Sequence, residues 1–288
     1  MSYYSVADIN FEIANQKLNS ERMQKFQIKK PEKIDIQYMI SCIDDTFSYE
    51  NLTLCYDGKL FREFEDSNYV YRVFCIYIGD YENQLIIVRP KKQCMQWKIL
   101  LGKELKEQYS KYFDFANHLA FENILCEFKG FILHASVVAY EGKGILFTAP
   151  SGTGKSTQGE LWKKYKNADV LNGDRAFIRK KEDGFWVYGS PLAGSSGIYK
   201  NEKVKINAII VLRQAQTNTI RKLSAKDAFS NLYKETLINM WDNNFMTIVV
   251  EVISALVMQI PVYELSCRPD EESVDLVYET VIGSVVNT

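Results

Sequence analysis

The sequence has few of the residue types that build metal centres. It contains only two histidines, His118 and His134, and its six cysteines are spread singly along 288 residues without a Cys-x-x-Cys pair. A structural zinc site needs closely spaced cysteine and histidine ligands. The pattern therefore excludes a zinc site of that kind and favours reduced, mostly buried thiols.

Excess charge and long apolar runs are also missing. The net charge is −1, from 35 basic and 36 acidic residues, whereas a nucleic-acid-binding protein usually has a basic surplus. The most apolar stretch, Thr247–Met258, contains Glu251 and is too short to span a bilayer. The first residues show no positive region followed by an apolar core, as a secretory signal would. We therefore expect a cytoplasmic protein with neither a nucleic acid nor a membrane as its partner.

The composition is that of an ordinary globular protein, with 47% hydrophobic and 25% charged residues. In the first hundred residues, aromatic and β-branched runs alternate with turn residues, and Asp57-Gly58 is a hairpin signal. The predicted strands are Lys33–Ile40, Asn51–Tyr56, Tyr69–Ile78 and Gln84–Val88. These features predict a β-rich accessory domain over residues 1–105, in which no catalytic motif is evident.

The remaining residues, 106–288, are predicted to form a second domain. It begins with a helix at Glu107–Phe128 that bridges the two halves and packs His118. Strands and helices then alternate. Leu232–Met258 is predicted to form two helices that are separated by a break at Asn243-Asn244. The predicted strands are Phe131–Tyr140, Gly144–Ala149, Ala168–Leu171, Ala208–Leu212 and Val262–Cys267. Because the first two are close enough to pair as a hairpin, we expect an α/β fold with a mixed sheet.

The most informative segment is Ala149–Thr157, with the sequence Ala-Pro-Ser-Gly-Thr-Gly-Lys-Ser-Thr. An apolar strand precedes it and a helix-forming run follows, which is the context of a phosphate-binding loop (P-loop) for a nucleoside triphosphate. Lys155 would reach the β- and γ-phosphates, and the Ser156 hydroxyl would bind Mg²⁺. Ala149 occupies the position where such loops usually have their first glycine. The residues predicted to hold the phosphates are Ser151, Gly152, Thr153, Gly154, Lys155, Ser156 and Thr157.

Two further residues are candidates for the chemistry. Asp174 follows a short apolar strand about twenty residues after the loop, where a carboxylate binds Mg²⁺ or accepts the proton of an attacking hydroxyl. An aspartate after a glycine is also a common turn residue. His134 interrupts an apolar strand, which taken alone indicates a hydrogen-bonded core histidine.

Together, His134-Ala-Ser-Val-Val, the loop and Asn172-Gly-Asp-Arg resemble the catalytic domain of HPr kinase/phosphorylase, which shares its P-loop fold with phosphoenolpyruvate carboxykinases. The resemblance covers Phe131 to the C-terminus. It is strongest to HPr-kinase-like proteins found with ribosomally made peptides, including lasso-peptide tailoring kinases. It implies ATP and Mg²⁺ as cofactors, Asp174 and Lys155 as catalytic residues, His134 as a wall of the pocket, and Ser156 and Asp174 as metal ligands.

One position departs from the family pattern, because Gly173 stands where HPr kinases have the first of two adjacent aspartates. The loss of this carboxylate would remove the reverse reaction or leave Asp174 as the only general base. The resemblance predicts transfer of a phosphoryl group from ATP to a serine of a peptide or small protein. A nucleotide-binding regulator without transfer activity and a small-molecule kinase remain alternatives, and assembly into a homo-oligomer stays open. Ser190, Ser195, Ser196 and Glu202 either approach the acceptor or form an ordinary surface loop.

Overall fold

The computed structural model describes residues 1–14, 20–43, 47–78, 81–92, 96–103, 105 and 115–283. The chain divides into two compact units, Met1–Ala120 and Phe121–Thr288. This division lies later in the chain than the boundary after residue 105 expected from the sequence.

The first unit contains a nine-stranded sheet. Across the sheet the order is β3-β1-β2-β4-β9-β8-β7-β6-β5, and β4 runs parallel to both β2 and β9. A short helix, α1 (Glu21–Gln24), is capped by Ser20, whose Oγ accepts a hydrogen bond from the Met23 N–H. The strands are β1 (Ser2–Val6), β2 (Ile9–Ile13), β3 (Gln27–Ile28), β4 (Ile36–Ile43), β5 (Thr53–Asp57), β6 (Arg62–Glu65), β7 (Tyr69–Ile78), β8 (Tyr81–Pro90) and β9 (Gln96–Gly102).

The predicted β-rich character of this unit is confirmed. The strand predicted at Tyr69–Ile78 is β7, and Asp57 ends β5 in a hairpin that returns at Arg62. The strands β1, β2 and β9 were not predicted. His118 packs as expected, with its ring 4.8 Å from that of Phe74.

The second unit contains an eight-stranded sheet that is mixed, as predicted. The hairpin of β10 and β11 is antiparallel, whereas β11 runs parallel to β15, and β15 runs parallel to β17. The strands are β10 (Gly130–Tyr140), β11 (Lys143–Thr148), β12 (Asp169–Asn172), β13 (Arg175–Lys181), β14 (Gly184–Tyr188), β15 (Lys203–Gln214), β16 (Thr219–Lys222) and β17 (Val262–Cys267).

Helices cover both faces of this sheet. Successive residues of β11 point to opposite sides: Leu146 belongs to one core cluster, and Ile145 and Phe147 belong to the other. Strands buried on both faces are continuously apolar, which is why residues 144–147 of β11 carry no polar side chain. The helices are α2 (Phe121–Glu127), α3 (Lys155–Lys166), α4 (Ala225–Glu235), α5 (Asn243–Gln259) and α6 (Glu271–Val281), with 3-10 turns at Phe115–His118 and Gly194–Ser196.

Two helix predictions need correction. The helix expected at Glu107–Phe128 is not continuous, because Ala120 has a φ of +50° between the 3-10 turn and α2. Its residues 107–114 lie outside the described residues. Leu232–Met258 does not contain the expected pair of helices, because only the end of α4, which stops at Glu235, lies in its first part, and the break covers residues 236–242. Asn243 begins α5, since Asp242 caps that helix by accepting from the Phe245 N–H.

Candidate active site

The glycine-rich loop joins the end of β11 to the first turn of α3. Gly152 has a φ of +79° and Gly154 a φ of +114°, a region that side chains with a Cβ rarely adopt. Around either glycine, no atom lies within 4 Å of where a Cβ would be. Gly154 is also the N-cap of α3 and offers no side chain to the first-turn N–H groups. An open concavity at an uncapped helix N-terminus fits the phosphates of a nucleotide.

Lys155 is held inside this loop. Its side-chain Nζ donates to the carbonyl oxygens of Ala149, at 2.8 Å, and of Pro150, at 3.2 Å. Burial lowers the pKa of the Lys155 amine, while the negative charges of Glu235 and Asp174 act in the opposite direction. The amine therefore lies within the electrostatic field of both carboxylates.

The other predicted phosphate-binding residues lie on the same loop. Ser151, Ser156 and Thr157 are exposed, and Thr153 is half-buried. Ala149 is only 1% exposed and packs into the core, so a methyl group is accommodated where other loops have glycine.

Asp174 is carried by a tight turn between β12 and β13. The turn is fixed by Asn172, which is fully buried. Asn172 Oδ1 accepts from the N–H of Asp174 at 2.8 Å and from that of Arg175 at 2.7 Å. Its Nδ2 donates to the carbonyl oxygens of Ser190 and Leu192. The role of Asn172 was not predicted, although an asparagine side chain that bonds to the backbone N–H two residues later is a known turn pattern.

His134 lies between two carboxylates. Its Nε2 is 3.1 Å from Asp174 Oδ1, and its Nδ1 is 3.2 Å from Glu235 Oε2. Both contacts are hydrogen bonds only when the ring carries both protons. The three side chains are 16–25% exposed, so ligands can reach the cluster.

The pKa of Asp174 is lowered. The hydrogen bond from His134 is the largest cause, and the charges of Arg175, His134 and Lys155 act in the same direction against the effect of burial. The Asp174 carboxylate is therefore ionised near neutral pH and able to accept a hydrogen bond or bind a cation.

Glu235 was not predicted as a site residue. It is the last residue of α4, and the chain leaving the helix runs along β10. Leu237 N–H donates to the Ile132 carbonyl at 3.0 Å, and Thr236 forms an isolated bridge with Leu133. This pairing places Glu235 beside His134, from a position about a hundred residues away in sequence that no local pattern indicates.

Gly173 has a steric role in this structure. A Cβ at this position would lie 2.3 Å from Ser196 Oγ, because the turn at Gly194–Ser196 packs directly on the turn that carries Asp174. A Cβ on Gly194 would in turn lie 2.5 Å from the Asp174 Cβ. The two turns approach so closely that both require glycine.

The serines considered for contact with the acceptor differ in accessibility. Ser190 is fully buried, and its Oγ donates to the Arg175 carbonyl at 2.8 Å, so it supports the Asp174 turn and does not reach an acceptor. Ser196 Oγ donates to the Ala193 carbonyl. Glu202 is exposed, and the side chain of Ser195 lies outside what the structure describes.

Among the described residues, no group of three or more His, Cys, Asp and Glu side chains is arranged to hold a metal ion. No helix in the described part of the chain is both long and apolar enough to cross a bilayer.

The second unit is an α/β domain that combines a glycine-rich loop of the P-loop type with a carboxylate–histidine–carboxylate cluster. The chain belongs to the family of SynChlorMet cassette protein ScmC, whose model matches residues 118–269, more than half of its length. None of the curated proteins matches the chain. The HPr(Ser) kinase/phosphatase from Coxiella burnetii is similar in structure at 13% identity and a TM-score of 0.32, covering 54% of this chain and 90% of that one. A TM-score this low supports no conclusion about activity.

Proposed function

We propose that this protein is an ATP-dependent kinase that transfers the γ-phosphoryl group to a serine hydroxyl of a peptide or small protein, in the maturation of a peptide product. The observation that carries the proposal is that Asp174 is held next to the strand that enters the P-loop: its carbonyl accepts from the Ala135 N–H at 3.0 Å, and Ala135 pairs with Thr148 at the end of β11. The charges of Asp174 and Lys155 also influence each other's pKa. The serine-containing acceptor and the peptide pathway come from the sequence resemblance.

The reaction needs a phosphate cradle and a group that takes the acceptor's proton. The serine oxygen would attack the γ-phosphorus as the bond to the β–γ bridging oxygen breaks, and ADP would leave with that oxygen. Asp174 would accept the serine proton, because His134 keeps its carboxylate ionised. Lys155 and the first-turn N–H groups of α3 would stabilise charge on the transferring phosphoryl group.

Ser156 and Asp174 would hold Mg²⁺, which would neutralise phosphate charge during transfer. The Ser156 side chain is exposed at the first turn of α3. Asp174 has one oxygen 3.1 Å from His134 Nε2 and the other 3.2 Å from Arg175 Nε, and each oxygen retains a further lone pair.

The test is to incubate the protein with γ-labelled ATP, Mg²⁺ and a set of serine-containing peptides, and to measure phosphoserine. Asp174→Asn is expected to abolish transfer while retaining ATP binding. The matched control is Asp183→Asn, which removes an exposed carboxylate on the β13–β14 hairpin and should leave transfer unchanged. ATP binding without transfer to any peptide would instead favour a regulator, and labelling of metabolites alone would favour a small-molecule kinase.

A further inference from the structure

A cavity of about 440 Å³ opens on one flank of the P-loop. The loop contributes Gly152, Thr153, Gly154 and Thr157 to its wall, and α3 contributes Gln158. The opposite wall is formed by the ends of two neighbouring parallel strands. It consists of Gln214–Gln216, at the end of β15, and Cys267–Pro269, at the end of β17. Lys155, His134 and Asp174 are not part of its lining. The strand β10, which carries His134, pairs with one edge of β11, and β15 pairs with the other edge. The carboxylate cluster and the cavity wall at the end of β15 therefore lie on opposite sides of the strand that leads into the phosphate loop.

We propose that this cavity binds the nucleoside half of the nucleotide, an inference that rests on the proposed function. A triphosphate bound to the loop has two ends. The terminal phosphate, which reacts, must face Lys155 and Asp174. The end that carries the sugar and base must then leave on the other flank, where the cavity lies. Its volume is within the range of small-molecule sites, about 300–1,000 Å³.

The chemistry of the lining suits a flat, uncharged heterocycle. Leu212, Ala215 and Pro269 supply apolar surface, and Gln214 and Gln216 supply amide groups at its edge. The Gln214 Nε2 also donates to the Gly152 carbonyl at 3.4 Å, which ties this wall to the phosphate loop. Apolar surface with a few polar groups is the usual composition of a site for an organic ligand.

The one cationic side chain in the lining, Arg268, is already paired with two carboxylates. Its Nε is 2.9 Å from Asp270 Oδ2, and its Nη2 is 3.0 Å from Glu272 Oε2. The two carboxylates offset the positive charge of Arg268, which a second anion would need for binding. The cavity therefore fits the nucleoside better than a further phosphate or an acidic effector.

Gln158 shapes the floor of the cavity. Its Nε2 donates to Ser273 Oγ at 3.0 Å and approaches Cys267 Sγ at 3.6 Å. Gln158 thus connects α3, which starts at the phosphate loop, to the end of β17 and to α6. The floor is fixed to the same helix that binds the phosphates, so the two halves of a nucleotide would meet a single rigid surface.

The first experiment compares ATP with inorganic tripolyphosphate by calorimetry. The wild-type protein is expected to bind ATP at least about tenfold more tightly than tripolyphosphate, because only ATP reaches the cavity. Ala215→Trp, which fills the cavity, should remove that difference and leave tripolyphosphate binding unchanged. Thr219→Trp, at an exposed position of β16 outside the lining, is the matched control and should change neither.

The second experiment needs no substitution, so it holds even if Ala215→Trp does not fold. Cys267 lines the cavity, and burial raises the pKa of its thiol. Maleimide labelling of Cys267, followed by mass spectrometry, should be slowed several-fold by ATP and not by tripolyphosphate. Cys55 in the first unit is also partly buried, with a thiol pKa raised chiefly by burial, and its labelling should be unaffected.

The outcomes separate the two proposals. Equal affinity for ATP and tripolyphosphate, or equal protection of Cys267 by both, would overturn the nucleoside site and leave the phosphate site standing. If neither compound binds, the proposed kinase function falls and the nucleoside site falls with it.

Discussion

The two units each contain a cluster of opposite charges, and the clusters differ in how water reaches them. In the first unit, Glu63 is 1% exposed and lies 3.2 Å from Arg72 and 3.3 Å from Arg89, on the adjacent strands β6, β7 and β8. In the second unit, His134, Asp174 and Glu235 keep 16–25% of their side-chain surface exposed. The first cluster pairs one carboxylate with two guanidinium groups, and this carboxylate is closed to solvent although Arg89 keeps 16% of its side-chain surface exposed. The second cluster pairs two carboxylates with one histidine, and both carboxylates are open to solvent.

This difference separates a structural role from a chemical one. A sealed charge must be balanced by its neighbours, because desolvation costs several kcal/mol per ion and no ligand can replace the partner. An open charge can exchange a proton or bind a ligand. The carboxylate of Asp174 is therefore a candidate for chemistry, whereas that of Glu63 links three strands.

The largest expected effect is that of Asp174→Asn on phosphoryl transfer. Removing the group that accepts the acceptor's proton should lower the transfer rate by about 10²–10⁴-fold. Nucleotide affinity, measured by calorimetry without Mg²⁺ so that the loss of a metal ligand does not contribute, should stay within about threefold, because the phosphate loop is unchanged. Equal losses in affinity and rate would place Asp174 in nucleotide binding alone.

The second prediction concerns the sealed cluster. Glu63→Ala removes a buried carboxylate that faces two guanidinium groups and should lower the free energy of unfolding by about 3–5 kcal/mol, measured by denaturant titration. Asp183→Ala removes an exposed carboxylate that pairs with Lys205, at 3.6 Å, and accepts a hydrogen bond from Trp186 Nε1, and its effect on stability should be much smaller. Similar losses from both variants would remove the distinction between sealed and exposed pairs.

The third prediction tests the contact between the two turns at Asp174. Gly173→Ala places a Cβ against Ser196 and should destabilise the second unit by about 1–3 kcal/mol. Ser196→Gly removes the obstructing side chain, so the double variant should recover most of the loss. If Ser196→Gly gives no recovery, the loss comes from the backbone and not from this contact.

Much of the second unit could be predicted from sequence because its signals are local. The loop, the hairpin before it and the strand at Val262–Cys267 follow from glycine positions and apolar runs within a few residues. The expectation that Asp174 follows a short strand also came from a local apolar run, and the strand is β12. Glu235 could not be found in this way, because its place depends on the pairing of Thr236 and Leu237 with β10, far away in the chain.

The strands of the first unit were harder to predict from sequence. Its β-rich character was evident from composition, but β1, β2 and β9 were missed. The parallel neighbours β2, β4 and β9 are separated in sequence, so no turn signal marks their pairing. Gly173 was predicted to remove the reverse reaction, or to leave Asp174 as the only base, by the absence of a carboxylate. The structure adds a packing reason for glycine that depends on Ser196, which no local pattern shows.

The fourth prediction concerns Glu235 as a residue that positions His134. Glu235→Gln keeps a hydrogen-bond acceptor near Nδ1 but removes the charge, and it should lower the transfer rate by about tenfold. The KM for ATP should not change, because Glu235 is not part of the phosphate loop. Glu251→Gln, at an exposed position of α5, is the control. A change in KM with an unchanged rate would contradict the positioning role.

The smallest expected effect is a change in the titration of Asp174. His134→Ala removes the hydrogen bond that is the main cause of the lowered pKa, so the pKa should rise toward the ordinary value of about 3.9. The lowered pKa contributes stability that is present above this ordinary value and is lost as the pH falls through the folded-state pKa. In the variant this contribution should be smaller at every pH above the ordinary pKa, because the folded-state pKa lies closer to the unfolded-state value. Carboxyl ¹³C chemical shifts measure the effect. The control is Asp183, whose pKa is lowered by a hydrogen bond from Trp186 and should not move.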